Sequence, residues 1–265
     1  MSAMAGLMEG RRGLVLGVAN DHSIAWGAAK ALHAAGAELA FTYQGEQFER
    51  RVRPLAASVG SDIVLPADVT DDASLDAVFE RIGAEWGRLD FLVHAIAYSD
   101  KAELTGRYAD TSRANFLRTM EVSCYSFTDL ARRASDLMTE GGSMVTMTYL
   151  GAQRVMPNYN VMGVAKAALE ASVRYLANDL GPQGVRVNAI SPGPMRTLAG
   201  SAIGGARKVY KVCAENAPMR KNATLENVGG AAVYLLSDLS TGVTGEIHYV
   251  DSGYNIISTP RPDRL

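Results

Sequence analysis

The chain has 265 residues, a formal net charge of −2 at pH 7 and a sequence pI of about 6.1. Because 48% of its residues are hydrophobic and only 20% are charged, it can bury a sizeable apolar core. The near-neutral balance argues against nucleic acid as the main partner, since binding phosphates needs a basic surface. No apolar run has the length of a signal peptide or a membrane span, so the sequence predicts a soluble, cytoplasmic protein.

Apolar, β-rich runs alternate with helical patterns along the whole chain. The runs are continuously apolar, as expected when helices cover both faces of a sheet. We therefore predict βαβ crossovers and an α/β fold, a Rossmann-type, doubly wound parallel sheet of about seven strands in a single domain spanning residues 1–265. The predicted strands are Gly13–Val18, Glu38–Tyr43, Asp62–Pro66, Phe91–Ala95, Ser143–Thr148, Gly184–Ile190 and Glu246–Val250.

The first predicted strand leads into a turn that suits a pyrophosphate. Gly17 leaves the strand, Ser23 follows, and a helix is predicted from Ile24 to about Ala35. A glycine lets the backbone approach a phosphate, and the helix N-terminus supplies N–H groups and a partial positive charge. The spacing is neither Gly-x-Gly-x-x-Gly nor Gly-x-x-x-Gly-x-Gly, so this segment alone leaves open a simple packing turn.

The next two strand ends also suit a dinucleotide. The second strand ends near Gln44, where such folds meet the adenosine ribose, and Asp68–Val69 follow the third, where adenine is often contacted. Asp68 could equally cap the next helix. That amphipathic helix is predicted over 71–87, with Asp71 and Asp72 as N-terminal caps.

The fourth strand ends in His94-Ala95-Ile96-Ala97, whose small residues could lie against the cofactor. For His94 we favour a packed strand-end residue over a chemical role. The two cysteines, Cys124 and Cys213, form no Cys-x-x-Cys pair, and the four histidines have no metal-ligand spacing. We therefore predict free thiols and no metal site.

A tyrosine and a lysine provide the most specific signal in the chain. Tyr159 precedes Lys166 by seven residues, shortly after Tyr149 at the end of the fifth strand. An offset of seven returns to nearly the same face of a helix, so we expect both side chains to point into one cleft. An exposed tyrosine and lysine at coincidental spacing is the alternative.

Three motifs together resemble bacterial NAD(H)-dependent enoyl-acyl-carrier-protein reductases, which belong to the short-chain dehydrogenase/reductase superfamily. They are Tyr-x6-Lys at Tyr159 and Lys166, the extended Gly-x5-Ser-Ile-Ala turn from Gly17, and the segment Ile190–Ala199, ISPGPMRTLA. The resemblance covers about residues 10–257. It implies NAD(H) as the cofactor, acyl carrier protein as the partner and a homotetramer with its C-terminal strand near a subunit contact.

The resemblance also implies roles for individual residues. Tyr159 would stabilise or protonate an enolate, Lys166 would hold the nicotinamide ribose hydroxyls, and Tyr149 would border the substrate. The implied catalytic residues are thus Tyr149, Tyr159 and Lys166. The implied cofactor site comprises Gly17, Ser23, Ile24, Gln44, Asp68, Val69, Ile96, Lys166 and Met195. The implied substrate contacts are Ala97, Tyr149, Tyr159 and Met195.

Two departures from common patterns bear on the chemistry. Most short-chain dehydrogenases place the tyrosine four residues before the lysine, where this chain has Met162. Hydride transfer to the β-carbon of an enoyl thioester leaves negative charge on the thioester oxygen, and a donor displaced by one helical turn suits that enolate. The family commonly has Ser-Ile-Gly where this chain has Ala95-Ile96-Ala97, which removes a serine hydroxyl contact.

Two further segments carry predictions about ligands. After Met195, a small, apolar, glycine-containing stretch predicts a mobile lid over an acyl chain around residues 195–211, although an ordinary surface loop also fits. Arg207 and Lys208 match basic family positions that would dock an acidic carrier protein, with a solvated helix face as the alternative. A third basic position of the family is Gly204 here.

The sequence also bears on the choice between NADH and NADPH and on two rival functions. Glu46, after the second strand, would repel a 2′-phosphate and so favours NADH over NADPH, although Arg50 and Arg51 follow in the next helix. A carbonyl reductase or alcohol dehydrogenase on the same fold is disfavoured by Met162. A non-catalytic nucleotide sensor is disfavoured by the retained tyrosine and lysine.

Overall fold

Parallel strands form the centre of the computed structural model, which describes residues 4–201 and 204–261. The strands are β1 (Arg12–Leu16), β2 (Glu38–Tyr43), β3 (Val64–Pro66), β4 (Phe91–His94), β5 (Gly142–Met147), β6 (Val185–Pro192) and β7 (Ile247–Val250). They make one seven-stranded sheet in the order β3-β2-β1-β4-β5-β6-β7, and all neighbours are parallel. The predicted doubly wound fold is therefore confirmed.

Helices follow nearly every strand, as parallel crossovers require. They are α1 (Ile24–Ala34), α2 (Glu46–Ser58), α3 (Asp72–Trp86), α4 (Arg113–Met120), α5 (Ser126–Leu137), α6 (Asn160–Leu180), α7 (Leu198–Ser201), α8 (Ala206–Asn216) and α9 (Leu225–Leu236). One turn of π-helix, Glu121–Tyr125, joins α4 to α5.

Two apolar layers, one on each face of the sheet, explain why the strands are continuously apolar. In β4, Phe91 packs into the layer with α1, α2 and α9, whereas the next residue, Leu92, packs into the layer with α3, α5 and α6. Both side chains are fully buried. Successive side chains of a strand point to opposite faces, so both faces demand apolar residues here.

The strand order places a crevice at the carboxyl edge of the sheet. The chain winds outward from β1 through β2 to β3, and then returns to pair β4 with the other side of β1. In open α/β sheets, ligands bind at such a topological switch point, outside the carboxyl ends of the strands. The loops after β1 and β4 therefore border the natural ligand site.

Several predicted strand boundaries were wrong by a few residues. The first strand ends at Leu16, before the predicted end at Val18, because Gly17 has a φ of 98° and turns the backbone out of the sheet. The third strand begins at Val64 and is shorter than predicted. The sixth extends to Pro192, beyond the predicted end, because it also pairs with β7 there.

Only one of the two residues predicted to cap α3 is its N-cap residue. The side chain of Asp71 accepts a hydrogen bond from the backbone N–H of Ala73 at 3.1 Å, so Asp71 is the cap. Asp72 is the first helical residue, and its carboxylate pairs with Arg133 at 3.1 Å. The prediction for Asp71 is confirmed and that for Asp72 is corrected.

Other chemical groups can be surveyed over residues 4–201 and 204–261. No group of three or more His, Cys, Asp and Glu side chains there has the arrangement of a metal site. Cys124 and Cys213 are buried free thiols. None of the helices in these ranges combines the length and the apolar character that crossing a membrane requires.

Candidate functional site

Most of the predicted cofactor residues lie shortly after the carboxyl ends of the strands, whereas Ser23 and Ile24 lie at the start of α1 and Lys166 lies in α6. Gly17 follows β1, and its φ of 98° belongs to the left-handed region that favours glycine. A Cβ atom at this position would lie 2.2 Å from the carbonyl oxygen of Ala95, beyond β4. The close approach of these two loops therefore requires a glycine at the switch point.

Ser23 shapes the turn between β1 and α1. Its buried hydroxyl accepts hydrogen bonds from the backbone N–H groups of Ala19 at 2.9 Å and Asn20 at 3.0 Å. Ile24 is the first residue of α1, so these bonds fold the turn against the N-terminus of the helix. A helix N-terminus next to a glycine turn suits a pyrophosphate. Ser23 thus organises the loop in place of a second glycine.

A polar pair marks the ends of β2 and β3. The amide of Gln44 donates to Asp68 at 3.0 Å, and Thr70 donates to the same carboxylate through its N–H and its hydroxyl. Partial burial opposes ionisation, yet the hydrogen bonds from Thr70 and Gln44 leave the pKa of Asp68 below its ordinary value. Asp68 does not cap α3, and it presents a carboxylate where an adenosine would lie, beside the partly buried Val69.

The end of β4 carries one structural residue and two accessible ones. His94 is fully buried and hydrogen-bonded to Thr146 at 2.8 Å and Ser126 at 3.0 Å. Burial lowers the pKa of His94 to about 3, with Lys166 adding to the effect, so the ring stays neutral. The structure agrees with a packing role for it. Ile96 is partly buried and Ala97 is exposed at the carboxyl edge.

Two tyrosine rings meet beyond the end of β5. The ring centroids of Tyr149 and Tyr159 are 5.1 Å apart with an interplanar angle of 68°. Tyr159 is only 7% exposed, and burial raises the pKa of both phenols. Both hydroxyls therefore stay protonated at neutral pH and can donate a hydrogen bond or a proton.

A glycine determines where the ring of Tyr159 can lie. A Cβ atom on Gly151 would come within 2.4 Å of the Cδ1 atom of Tyr159, so the ring rests directly on this backbone. Gly151 belongs to a short 3₁₀ turn, Leu150–Ala152, that follows Tyr149. The sequence interpretation did not single out this glycine.

Lys166 lies in α6 and reaches the end of β5. It is 5% exposed, and its Nζ atom donates to the carbonyl oxygen of Met147 at 2.7 Å. Burial lowers the pKa of Lys166 to about 8, while Cys124 and Glu170 act in the opposite direction. The ammonium form therefore predominates at neutral pH.

The tyrosine and the lysine do not share one helix as predicted. Helix α6 begins at Asn160, and Tyr159 is its N-cap residue, with φ −111° and ψ −25°. Both side chains still lie at the end of β5. Lys166 donates a hydrogen bond to the carbonyl oxygen of Met147, and the ring of Tyr159 packs on Tyr149, which follows Met147 by two residues. Over the described residues, no hydrogen bond joins the phenol of Tyr159 to the amine of Lys166.

A buried carboxylate completes this region. Glu170, 4% exposed, accepts hydrogen bonds from Thr148 at 2.8 Å and Gln153 at 3.3 Å. It follows Lys166 by four residues, so both project from one face of α6. This spacing was the available signal for Glu170, which the sequence interpretation missed.

The predicted lid lies beside the same edge. Met195 is partly buried against the core, and the guanidinium of Arg196 lies 4.6 Å from the ring centroid of Tyr210. The short helix α7 and the start of α8 occupy much of the range 195–211. Residues 202–203 of that range lie outside the described residues.

Comparisons with known proteins show the family to which the chain belongs. The sequence matches the family model described as Enoyl-(Acyl carrier protein) reductase over residues 17–255. It is 65% identical over 262 residues to the NADH-dependent enoyl-acyl-carrier-protein reductase 2 of Rhizobium meliloti (strain 1021), covering 99% of this chain and 98% of that protein.

Two solved structures are similar over nearly the whole chain. FabI from Candidatus Liberibacter asiaticus has a TM-score of 0.95 at 56% identity, over 97% of this chain and 100% of that one. The enoyl-acyl-carrier-protein reductase of Anaplasma phagocytophilum, solved with NAD, has a TM-score of 0.94 at 56% identity, over 97% and 98%. The chain therefore belongs to the enoyl-acyl-carrier-protein reductase family.

Proposed function

We propose that this chain uses NADH to reduce the carbon–carbon double bond of trans-2-enoyl-acyl-carrier-protein thioesters, the last reduction of the fatty acid elongation cycle. Family membership supports this reaction. The observation that carries the proposal is the contact between the rings of Tyr159 and Tyr149 beyond the end of β5, the strand whose Met147 carbonyl oxygen binds Lys166.

In this proposal the dinucleotide lies along the carboxyl edge of the sheet. The turn from Gly17 to Ile24 would hold the pyrophosphate at the N-terminus of α1, and Gln44 with Asp68–Val69 would hold the adenosine. Ile96 and Met195 would border the nicotinamide. The ammonium of Lys166 would donate to the ribose hydroxyls. NADH supplies the hydride when it is bound.

Tyr159 provides the other half of the chemistry. Negative charge develops on the thioester oxygen when the β-carbon of the substrate is reduced. A buried, protonated phenol can donate a hydrogen bond or a proton to that oxygen, and such donors act strongly where water is excluded. Tyr149 and Ala97 would line the path of the acyl thioester.

A carbonyl reductase on the same fold is the nearest rival, and Met162 argues against it. That enzyme would need a phenol one helical turn closer to Lys166. Met162 occupies this position and is buried in an apolar cluster with Tyr159, Val161 and Leu104. A thioether cannot donate a proton to a carbonyl oxygen.

The ion pairs of α2 favour NADH over NADPH. Arg50 pairs with Glu46 at 3.8 Å, and Arg53 pairs with Glu49 at 2.6 Å. Two of the arginines near the adenosine end thus already face carboxylates. A 2′-phosphate would also approach Glu46 and the ionised Asp68, which repel it.

We also propose that the chain forms a homotetramer and acts in the cytoplasm. Exposed large apolar side chains favour association, and Leu117, Tyr125 and Tyr175 are at least 60% exposed on α4, the π-turn and α6. The resemblance to the family supports the tetramer.

The proposed function predicts which substrate is reduced. Purified protein should oxidise NADH with crotonyl coenzyme A and leave acetoacetyl coenzyme A unreduced, with a higher kcat/KM for NADH than for NADPH. Parallel steady-state assays at 340 nm measure all of this. Preferential reduction of the keto substrate would indicate a carbonyl reductase, and no turnover with either would favour a nucleotide sensor.

The tyrosines predict an order of effects. Tyr159→Phe should lower kcat by roughly 10²–10³, the usual cost of removing one oxyanion donor, while NADH binding stays nearly unchanged. Tyr149→Phe should be milder, because its ring keeps the contact with Tyr159. Steady-state kinetics and NADH fluorescence titration measure the two effects. A larger loss in Tyr149→Phe would reverse the assignment of the donor.

If Arg207 and Lys208 dock the carrier protein, their effect on KM should depend on whether the acyl group is attached to the carrier or to coenzyme A. Arg207 and Lys208 are exposed at the start of α8. Reversing both charges to glutamate should raise KM for a carrier-linked enoyl substrate and leave KM for its coenzyme A analogue nearly unchanged, because an acidic carrier is repelled. The control is Lys101→Glu, which reverses the charge of another exposed lysine. An equal change with both substrates would rule out docking at these residues.

A further inference from the structure

Two asparagines flank the proposed proton donor, and both have unusual backbone conformations. Asn158 has a φ of 58° and Asn160 has a φ of 35°. Residues other than glycine seldom adopt the left-handed region, and asparagine is among the few that tolerate it. Tyr159 therefore stands between two residues that turn the chain sharply at the start of α6.

Each asparagine amide holds a different, distant segment. The Nδ2 atom of Asn158 donates to the carbonyl oxygen of Gly204 at 2.7 Å. The Nδ2 atom of Asn160 donates to the carbonyl oxygens of Glu103 at 3.2 Å and Gly106 at 3.4 Å. The turn that carries Tyr159 is thus attached on both sides.

The segment held by Asn160 is itself rigidly supported. The carboxylate of Glu103 accepts hydrogen bonds from the N–H and the hydroxyl of Ser112, both at 2.8 Å. The next residue, Leu104, is buried in the apolar cluster that contains Tyr159. Asn160 therefore binds a segment that contacts the environment of the tyrosine.

The segment held by Asn158 approaches from the side of the predicted lid. A Cβ atom on Gly204 would lie 3.1 Å from the Nδ2 atom of Asn158 and 3.4 Å from the Cγ2 atom of Thr105. Gly204 thus fits between the tyrosine turn and the segment held by Asn160. The two segments meet over this turn.

The backbone of Gly151 also limits where the ring of Tyr159 can lie. The ring rests on Gly151, whose backbone leaves no room for displacement toward the 3₁₀ turn. The position of the phenol hydroxyl then depends on the backbone at residue 159. That backbone is held by the two neighbouring asparagines.

We propose that Asn158 and Asn160 are positioning residues, which fix the phenol of Tyr159 by tying its turn to the segments at Gly204 and Glu103. The inference rests on the proposed function, because it assumes that the phenol of Tyr159 acts on the substrate. Neither asparagine needs to touch substrate or cofactor. Their effect should appear in the step that uses the phenol and not in the affinity for NADH.

The first test replaces each amide by a carboxylate of the same shape. Asn158→Asp and Asn160→Asp remove the donor, and Asn158→Gly removes the side chain while it keeps the left-handed backbone accessible. Asn222→Asp is the matched control, because Asn222 donates similarly to Tyr210 of α8 at 2.9 Å, away from the tyrosine turn.

We expect kcat for crotonyl coenzyme A to fall about threefold to about tenfold in the three variants, which is the usual effect of one hydrogen bond. The Kd for NADH should stay at the wild-type value. The midpoint of thermal unfolding should shift no more than in Asn222→Asp, which should retain wild-type kcat. Wild-type kcat in Asn158→Asp or Asn158→Gly, or an equal loss in the control, would overturn the proposal.

A double-mutant cycle tests whether the effect passes through the phenol. In the Tyr159→Phe background, Asn158→Asp should produce no further loss of kcat, because there is no hydroxyl left to position. Full multiplication of the two losses would show that Asn158 acts elsewhere and would overturn the proposal. Absence of enoyl reduction by the wild-type protein would instead contradict the proposed function, so the two failures are distinguishable.

Discussion

The hydrogen bond from the buried ammonium of Lys166 to the carbonyl oxygen of Met147 is the interaction on which the site depends. A buried lysine is costly unless its charge is well solvated by the protein, so a role in binding explains it better than a role in stability. One turn later, Glu170 binds Thr148. Helix α6 thereby holds the end of β5 at two successive residues and places Tyr149 against Tyr159.

The same end of the sheet brings together the residues predicted to hold the cofactor. Gly17 follows β1 and Ile96 follows β4, the adjacent strands on either side of the switch point. Gln44 follows β2 and donates a hydrogen bond to Asp68, which follows the neighbouring strand β3. These residues could be predicted from the sequence because each directly follows an apolar run, and parallel strands end at one edge. The apolar runs in the sequence and the parallel arrangement of the strands therefore predict the same edge of the sheet.

The details that position Tyr159 could not be predicted in this way. Asn158 contacts Gly204, 46 residues later, and Asn160 contacts Glu103, 57 residues earlier. Such pairs depend on tertiary folding, and left-handed φ values at asparagine leave no periodic signal. For the same reason, helical spacing placed Tyr159 inside α6, whereas the helix begins one residue later, at Asn160, and Tyr159 is its N-cap residue.

In the proposed function, Lys166 holds the cofactor and Tyr159 acts on the substrate. The most direct test is the Kd of NADH, measured by fluorescence titration from about pH 7 to about pH 9.5. Since the pKa of Lys166 is about 8, affinity should fall as the pH rises through this value. Lys166→Ala should bind weakly at every pH, whereas the exposed control Lys211→Ala should follow the wild type. Wild-type affinity in Lys166→Ala would show that Lys166 does not hold the cofactor.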